Sequence, residues 1–152
     1  MLDRFSPRHH RVRAVLRVAR ATLAPDPTAA PRPPPPPDHG TAVHRWTKGT
    51  QARDAQGVPV DILAPRAVSW CLSSVVYRSA DLDHPLIEEV LAALRAAMAR
   101  RDKAHMSLLA FNDHPATTLA DVLDLLDDAI AMTERARTPP SSPHEFADCA
   151  GP

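Results

Sequence analysis

Apolar residues recur at three- and four-residue intervals in four segments of the chain, which is the pattern of amphipathic helices. The first segment begins at Pro7, directly after Ser6, and proline at the first helical position behind a serine is a common start of a helix. Thr118 and Asp121 have the spacing of a capping box before the last segment. The four predicted helices cover residues 7–23, 65–80, 85–101 and 119–135.

Between the first two helices the pattern changes to that of a β-hairpin. The segment Asp54–Gly57 has aspartate and glycine at the first and fourth positions, as type I turns prefer. Apolar residues alternate over 58–62, and Pro59 places this strand at an edge because it cannot donate to a ladder. The apolar segment Ser107–Phe111 is a candidate third strand. We therefore predict a mostly α (α+β) fold with about four helices and a small β-hairpin.

Proline suggests how the chain is divided. Eight of the 17 prolines lie between Pro25 and Pro37, and the run there favours a stiff polyproline II spacer, with docking to an aromatic groove on a partner as the alternative. Four more lie in a tail that is predicted to be disordered. The predicted units are a basic amphipathic helix, a Pro-rich linker, a helical domain with the hairpin and the tail, at residues 1–24, 25–40, 41–136 and 137–152.

Charge is balanced overall but not locally. A formal net charge of zero gives no general electrostatic case for nucleic acid or an anionic membrane. Residues 1–20 nevertheless contain six arginines and one aspartate, whereas residues 113–128 contain five aspartates and neither lysine nor arginine. We interpret this as attraction between the two terminal helices, with a phosphate-contacting arm as the alternative.

Cysteine usage and hydropathy favour a cytoplasmic protein. Cys71 and Cys149 are far apart, so neither a disulfide framework nor a paired zinc spacing is present. Arginines interrupt residues 11–24, which excludes an uninterrupted signal-peptide core. No apolar run approaches the roughly 18 residues that a membrane span needs.

Four short motifs together suggest a family. They are Trp46-x-x-Gly49, Ala52-Arg53-Asp54-x-x-Gly57, Ala67-Val68-x-Trp70-Cys71 and Phe111-Asn112-Asp113. Over about residues 46–131 the chain resembles an uncharacterised family of small actinobacterial and actinophage proteins that carries a domain of unknown function. The family pattern has glycine where Ser74 stands and tryptophan where Phe111 stands. The resemblance implies a shared fold and a shared site location, and no activity.

Cys71 is the leading candidate for a nucleophile. The order Cys71, His105, Asn112 imitates a Cys-His-Asn arrangement. In a helix that starts at Pro65, however, Cys71 is near the seventh residue, beyond the help of the helix dipole. Apolar neighbours also disfavour a thiolate, so we interpret Cys71 as a core residue.

The polar segment Asn112–Pro115 offers a second candidate chemistry. Asp113 could orient His114 as a base, or Asn112 could bind a ligand amide, but asparagine and aspartate before a proline favour a turn and a cap. The aspartates of the last helix could hold Mg²⁺, although a solvated acidic face is the favoured interpretation. No HExxH, P-loop, GxGxxG or GxSxG motif occurs, and neither a metal nor a cofactor is expected.

The aromatic residues suggest a binding site. Trp46, Trp70 and Tyr77 are candidates to line a cleft between the hairpin and the second helix, and the small Ser74 would leave room in it. Arg53 and Asn112 would then supply polar groups at its rim. The favoured alternative is an aromatic mini-core that holds the hairpin in place.

These observations favour a small non-catalytic accessory module that binds a protein or peptide. The main rival is a small cysteine-dependent enzyme with Cys71, His105 or His114, Asn112 and Asp113 in its site. A third hypothesis is a nucleic-acid-binding accessory protein that uses the arginine-rich first helix. Exchange of that helix across the long linker would also allow a homo-oligomer.

Overall fold

A computed structural model describes residues 7–25 and 45–135. The predicted N-cap Ser6, the proline run and the tail from residue 137 lie outside these ranges. The described part is mostly helical with a small antiparallel sheet, as predicted. The helices are α1 (Pro7–Leu23), α2 (Leu72–Ser79), α3 (His84–Arg100), α4 (Leu108–Asp113) and α5 (Leu119–Arg135), and the strands are β1 (Ala52–Arg53) and β2 (Ser69–Trp70).

Helices α1, α2, α3 and α5 pack around one hydrophobic core. Helix α1 lies against α5, α2 and α3, and its Leu16 and Leu23 are fully buried. Its predicted bounds match the structure, as do those of α5, and the predicted third helix is displaced by one residue. The basic first helix therefore belongs to the same core as the rest of the described chain.

The opposite charges of α1 and α5 face each other. Glu134 lies 2.8 Å from Arg17 and 3.8 Å from Arg13, and Arg20 pairs with Asp127. The hydrogen bond from Arg20 to Asp127 raises the pKa of that guanidinium. The predicted attraction between the terminal helices is confirmed. Because most of these side chains are exposed, each pair contributes little energy and mainly favours one orientation of the helices.

Two capping motifs in succession connect α2 to α3. The backbone N–H of Leu82 donates to the carbonyl of Tyr77 across the end of α2, in the pattern of a Schellman motif. The next residue, Asp83, caps α3 by accepting from the N–H of Leu86. Hydrogen bonds from Arg11 and from Leu86 lower the pKa of Asp83. The reversal between the helices is thus specified by only a few residues.

The predicted capping box of α5 is present in full. The backbone N–H of Asp121 donates to the Thr118 hydroxyl at 3.2 Å, and the N–H of Thr118 donates to the Asp121 carboxylate at 2.7 Å. The side-chain and backbone hydrogen bonds from Thr118 lower the pKa of Asp121. A local sequence signal alone therefore fixes where this helix begins.

The small sheet is built around β1. Ala52 pairs with Trp70 and Arg53 with Ser69, antiparallel. The predicted turn Asp54–Gly57 closes with a 3.0 Å hydrogen bond from the Gly57 N–H to the Asp54 carbonyl, and Gly57 has a φ of 80°. A single bridge joins Arg53 to Pro59 on the far side of the turn. The turn is confirmed, but the longer pairing of β1 is with β2.

The second helix is shorter than predicted. It begins at Leu72 and not at Pro65, because backbone amides before it bond to the sheet. The N–H of Val68 donates to the Arg53 carbonyl, and that of Cys71 donates to the Gln51 carbonyl. Those contacts with distant residues override the apolar periodicity that predicted a helix over 65–71.

The predicted third strand is also corrected. Residues Ser107–Phe111 lie in and before α4, where the Ser107 hydroxyl accepts a 3.0 Å hydrogen bond from the N–H of Ala110. Serine is a strong N-cap residue, and at this position it favours a short helix over a strand for the apolar residues that follow.

Substitutions on two faces of α1 test whether this helix belongs to the core. We expect Leu16→Ala to lower the free energy of unfolding by about 2–5 kcal/mol, because Leu16 is fully buried. The control Val18→Ala, at a residue 52% exposed on the same helix, should change it by about 0.5 kcal/mol or less. Urea denaturation gives both values, and equal effects would contradict the packing of α1.

Candidate functional site

Asn112 is the most heavily bonded side chain in the described chain. It lies in α4 and is 1% exposed. Its Oδ1 accepts from the indole N–H of Trp46 at 2.8 Å and from the backbone N–H of Leu72 at 2.9 Å. Its Nδ2 donates to the Thr47 carbonyl at 3.1 Å and to Asp113 Oδ1 at 2.8 Å.

These four bonds use the whole capacity of a carboxamide, which has two donors and two acceptor lone pairs. Asn112 therefore binds groups of the protein itself. It also has a role that its local sequence does not reveal, because it lies inside α4 yet caps the first amide of α2 at Leu72, 40 positions away. The interpretation of Asn112 as a capping residue is correct, and the helix that it caps is α2.

The segment after Trp46 also contacts the C-terminal end of α4 and the loop that follows it. Lys48 Nζ donates to the carbonyls of His114 at 2.7 Å and Thr117 at 2.6 Å, and its charge lies 5.1 Å from the centre of the Trp46 ring. The backbone N–H of Gly49 donates to Asp113 Oδ1 at 2.9 Å. These carbonyls belong to the C-cap residue of α4 and to the loop after it, so Lys48 fixes that loop against the segment after Trp46.

The structure does not assemble the proposed acid-base pair. Asp113 Oδ1 is engaged by Gly49 and Asn112, whereas His114 Nδ1 accepts from the backbone N–H of Ala116 at 3.2 Å. His105 is exposed in the loop before α4. Within residues 7–25 and 45–135, no histidine is hydrogen-bonded to the thiol of Cys71.

Cys71 is the N-cap residue of α2, so its predicted position at the seventh helical residue is wrong. It is 2% exposed, and its sulfur lies 3.1 Å from the Ser74 hydroxyl and 3.3 Å from the Ser73 hydroxyl. A position at the N-terminus of a helix favours a reactive thiol more than the predicted mid-helix position does. The burial of Cys71 and the absence of an imidazole partner among the described residues disfavour one. The arrangement fits a packed thiol.

The two tryptophans and Arg53 hold the sheet to its surroundings. The indole N–H of Trp70 donates to the Ile62 carbonyl at 3.1 Å, and the guanidinium of Arg78 lies 4.8 Å from its ring centre. Arg53 donates to the Thr47 hydroxyl at 3.0 Å and to the Gly57 carbonyl at 2.7 Å. These polar atoms are used inside the fold.

A groove of about 550 Å³ lies between α2, the second half of α3 and the segment 104–109. We call it the α2–α3 groove. Of the six residues predicted to bind a ligand or partner, Ser74 and Tyr77 line it, while Trp46, Arg53, Trp70 and Asn112 do not. Its lining residues are Gln51, Ile62, Ser73, Ser74, Tyr77, Leu91, Arg95, Met98, Ala104, Met106, Ser107, Leu108 and Leu109.

Most of this groove was not predicted, because the residues that line it come from apolar segments that the sequence pattern assigns to the hydrophobic core. Leu109 in particular lies in the predicted third strand, whereas the structure places it in α4 with 59% exposure. The sequence did contain one signal, since Ser107 as an N-cap would have placed Leu108 and Leu109 on different sides of a helix.

The aspartates of α5 are largely engaged in the fold. Asp127 pairs with Arg20, Asp128 pairs with Arg101 at 2.6 Å, and the Asp121 carboxylate accepts from the N–H of Thr118 in the capping box. In the described ranges, no group of three or more His, Cys, Asp or Glu side chains is placed to hold a metal ion. None of the described helices is both long enough and apolar enough to cross a membrane.

A family model for a family of unknown function, DUF6197, matches residues 7–132. The chain belongs to the DUF6197 family. The match starts with α1, so it extends beyond the region of the four motifs and includes the helix that completes the core. No curated protein and no solved structure matched the chain.

Removing the Asn112 amide tests its part in the DUF6197 fold. Asn112→Ala leaves the Leu72 N–H and the Thr47 carbonyl without their partner, at roughly 1–3 kcal/mol for each buried group. We expect a loss of about 2–6 kcal/mol in unfolding free energy, measured by urea denaturation. The control His105→Ala, at an exposed residue, should change it by about 0.5 kcal/mol or less. A loss as small as that of the control would contradict the described network.

The thiol of Cys71 can be tested separately after Cys149→Ser removes the other cysteine. We expect iodoacetamide to label the folded DUF6197 protein much more slowly than it labels glutathione at neutral pH, because Cys71 is 2% exposed. Denaturant should raise the rate to that of a free thiol. If iodoacetamide labelled the folded protein faster than it labels glutathione, the result would support the hypothesis of a cysteine-dependent enzyme.

Proposed function

We propose that this DUF6197 protein is a non-catalytic module that binds a segment of a partner protein in the α2–α3 groove. The observation that carries the proposal is the groove itself, whose lining includes the half-buried side chains of Ile62, Tyr77 and Met106 and Leu109 at 59% exposure. Exposed apolar surface of this kind marks interaction sites more often than an isolated exposed residue does. Apolar walls with polar groups among them are typical of ligand recognition.

The engagement of the candidate catalytic groups supports binding over catalysis. Asn112 and Asp113 bond to each other and to the segment of Thr47 and Gly49, and Cys71 is buried beside two serine hydroxyls. A nucleophile needs an adjacent base, and the base needs an orienting group. Neither relation exists among the described residues.

The ion pairs of α1 support a protein partner over nucleic acid. Arg11 pairs with Asp83 at 2.6 Å, and Arg13, Arg17 and Arg20 face the acids of α5. Arginines that already have carboxylate partners are less available to phosphates, on which nucleic-acid affinity mainly depends.

The proposal includes the setting of the protein. We place it in the cytoplasm of actinobacteria or of their infected cells, in keeping with the motifs around Trp46 and Trp70. The free thiol of Cys71 suits a reducing compartment.

A peptide selection tests the proposed function. The full-length protein is used to select binders from a phage-displayed library of random 12-residue peptides, and fluorescence polarisation then gives the Kd of each selected peptide. We expect Leu109→Glu to weaken binding about tenfold or more, because a carboxylate would replace an apolar contact in the groove.

The matched control is Val18→Glu, which adds the same charge at an exposed valine on α1 outside the groove. It should bind the peptides as the wild type does, and circular dichroism should show both variants folded. Failure to select any peptide, or equal affinities for the two variants, would overturn the proposal.

A further inference from the structure

We propose that the segment bound in the α2–α3 groove is an acidic amphipathic peptide whose carboxylate pairs with Arg95. This inference rests on the proposed function and names the class of partner. It follows from three observations: the charge of the groove, the position of Arg95 among the apolar residues that line it, and the exposure of Leu109 at its rim.

The groove has one charged side chain among its lining residues, and that is Arg95. No aspartate or glutamate lines it. Arg95 is exposed and forms no ion pair with another residue in the described ranges. Arg17 and Arg101, in contrast, each have a carboxylate partner within 2.8 Å. The unneutralised charge of the groove is therefore positive.

Arg95 lies on the apolar wall itself. Leu91, Arg95 and Met98 line the groove at helical spacing on α3, so the guanidinium is within one turn of both apolar side chains. A partner that buries apolar groups in the groove therefore brings its next polar group close to a cation. A carboxylate at that position gains an ion pair, whereas a lysine or arginine meets repulsion.

The walls of the groove can also accommodate partner peptides whose apolar side chains differ in shape. Met106 is half-buried among the lining residues, and its flexible thioether side chain adapts to differently shaped partners. Amphipathic segments with apolar anchors bind such grooves in many complexes. The combination of adaptable apolar walls and a single cation predicts a peptide with apolar anchors and an acidic residue beside them.

The rim favours a peptide over a small anionic amphiphile. Sites for small molecules enclose most of the ligand, whereas here the apolar wall continues to Leu109, which is 59% exposed. A chain segment that crosses the groove would cover both Leu109 and the deeper residues.

A charge exchange tests this inference with the peptides selected above. We expect the selected sequences to be enriched in aspartate or glutamate next to leucine, phenylalanine or methionine. Arg95→Glu should weaken their binding about three- to tenfold, and replacing the peptide's acidic residue by lysine should restore binding to Arg95→Glu but not to the wild type. The effect should diminish at high salt.

The matched control is Arg100→Glu, at an exposed arginine of α3 that does not line the groove, and it should bind the acidic peptides nearly as the wild type does. Peptides that depend on Leu109 but show neither acidic enrichment nor an effect of Arg95→Glu would overturn the inference and leave the proposed function standing. Peptides that bind Leu109→Glu and Val18→Glu equally would overturn the proposed function. Sodium laurate that binds in an Arg95-dependent manner, when no peptide does, would overturn both.

Discussion

The fold of this chain depends on one buried carboxamide. Asn112 connects α4 to the backbone after Trp46 and to the first turn of α2, and none of its four hydrogen-bonding positions is left over. A buried polar group is costly unless it is fully bonded, so the three segments must meet in one arrangement or lose several hydrogen bonds together. Apolar packing of leucines and valines alone would tolerate more than one alignment of a six-residue helix such as α4.

The sequence predicted the parts of the fold that local chemistry decides. The bounds of α1 and α5, the turn at Asp54–Gly57 and the capping box at Thr118 follow from residues within a few positions of each other. It misplaced the start of α2 because the amides of Val68, Trp70 and Cys71 bond to partners at residues 45–53, and because the cap at Leu72 comes from Asn112. Such distant bonds leave no periodic signal in the chain.

The same difference separates the predicted site from the observed groove. Trp46, Trp70, Arg53 and Asn112 are rare or polar residues, which made them attractive candidates, but their polar atoms are used to join the sheet to α4 and to its own turn. The groove instead has ordinary side chains at Tyr77, Met106 and Leu109. Only the fold decides which ordinary side chains remain uncovered, so residue type alone could identify Ser74 and Tyr77 but not the opposite wall.

The packing of α1 has a consequence for the integrity of the molecule. Leu16 and Leu23 fill the same core as α2, α3 and α5, while residues 26–44 separate this helix from the next described segment in sequence. Proteolytic cleavage between Pro25 and Arg45 would break the chain without removing any of the buried contacts of α1. The two fragments would then remain associated through their shared interior, as a noncovalent complex in which the shorter fragment completes the longer one.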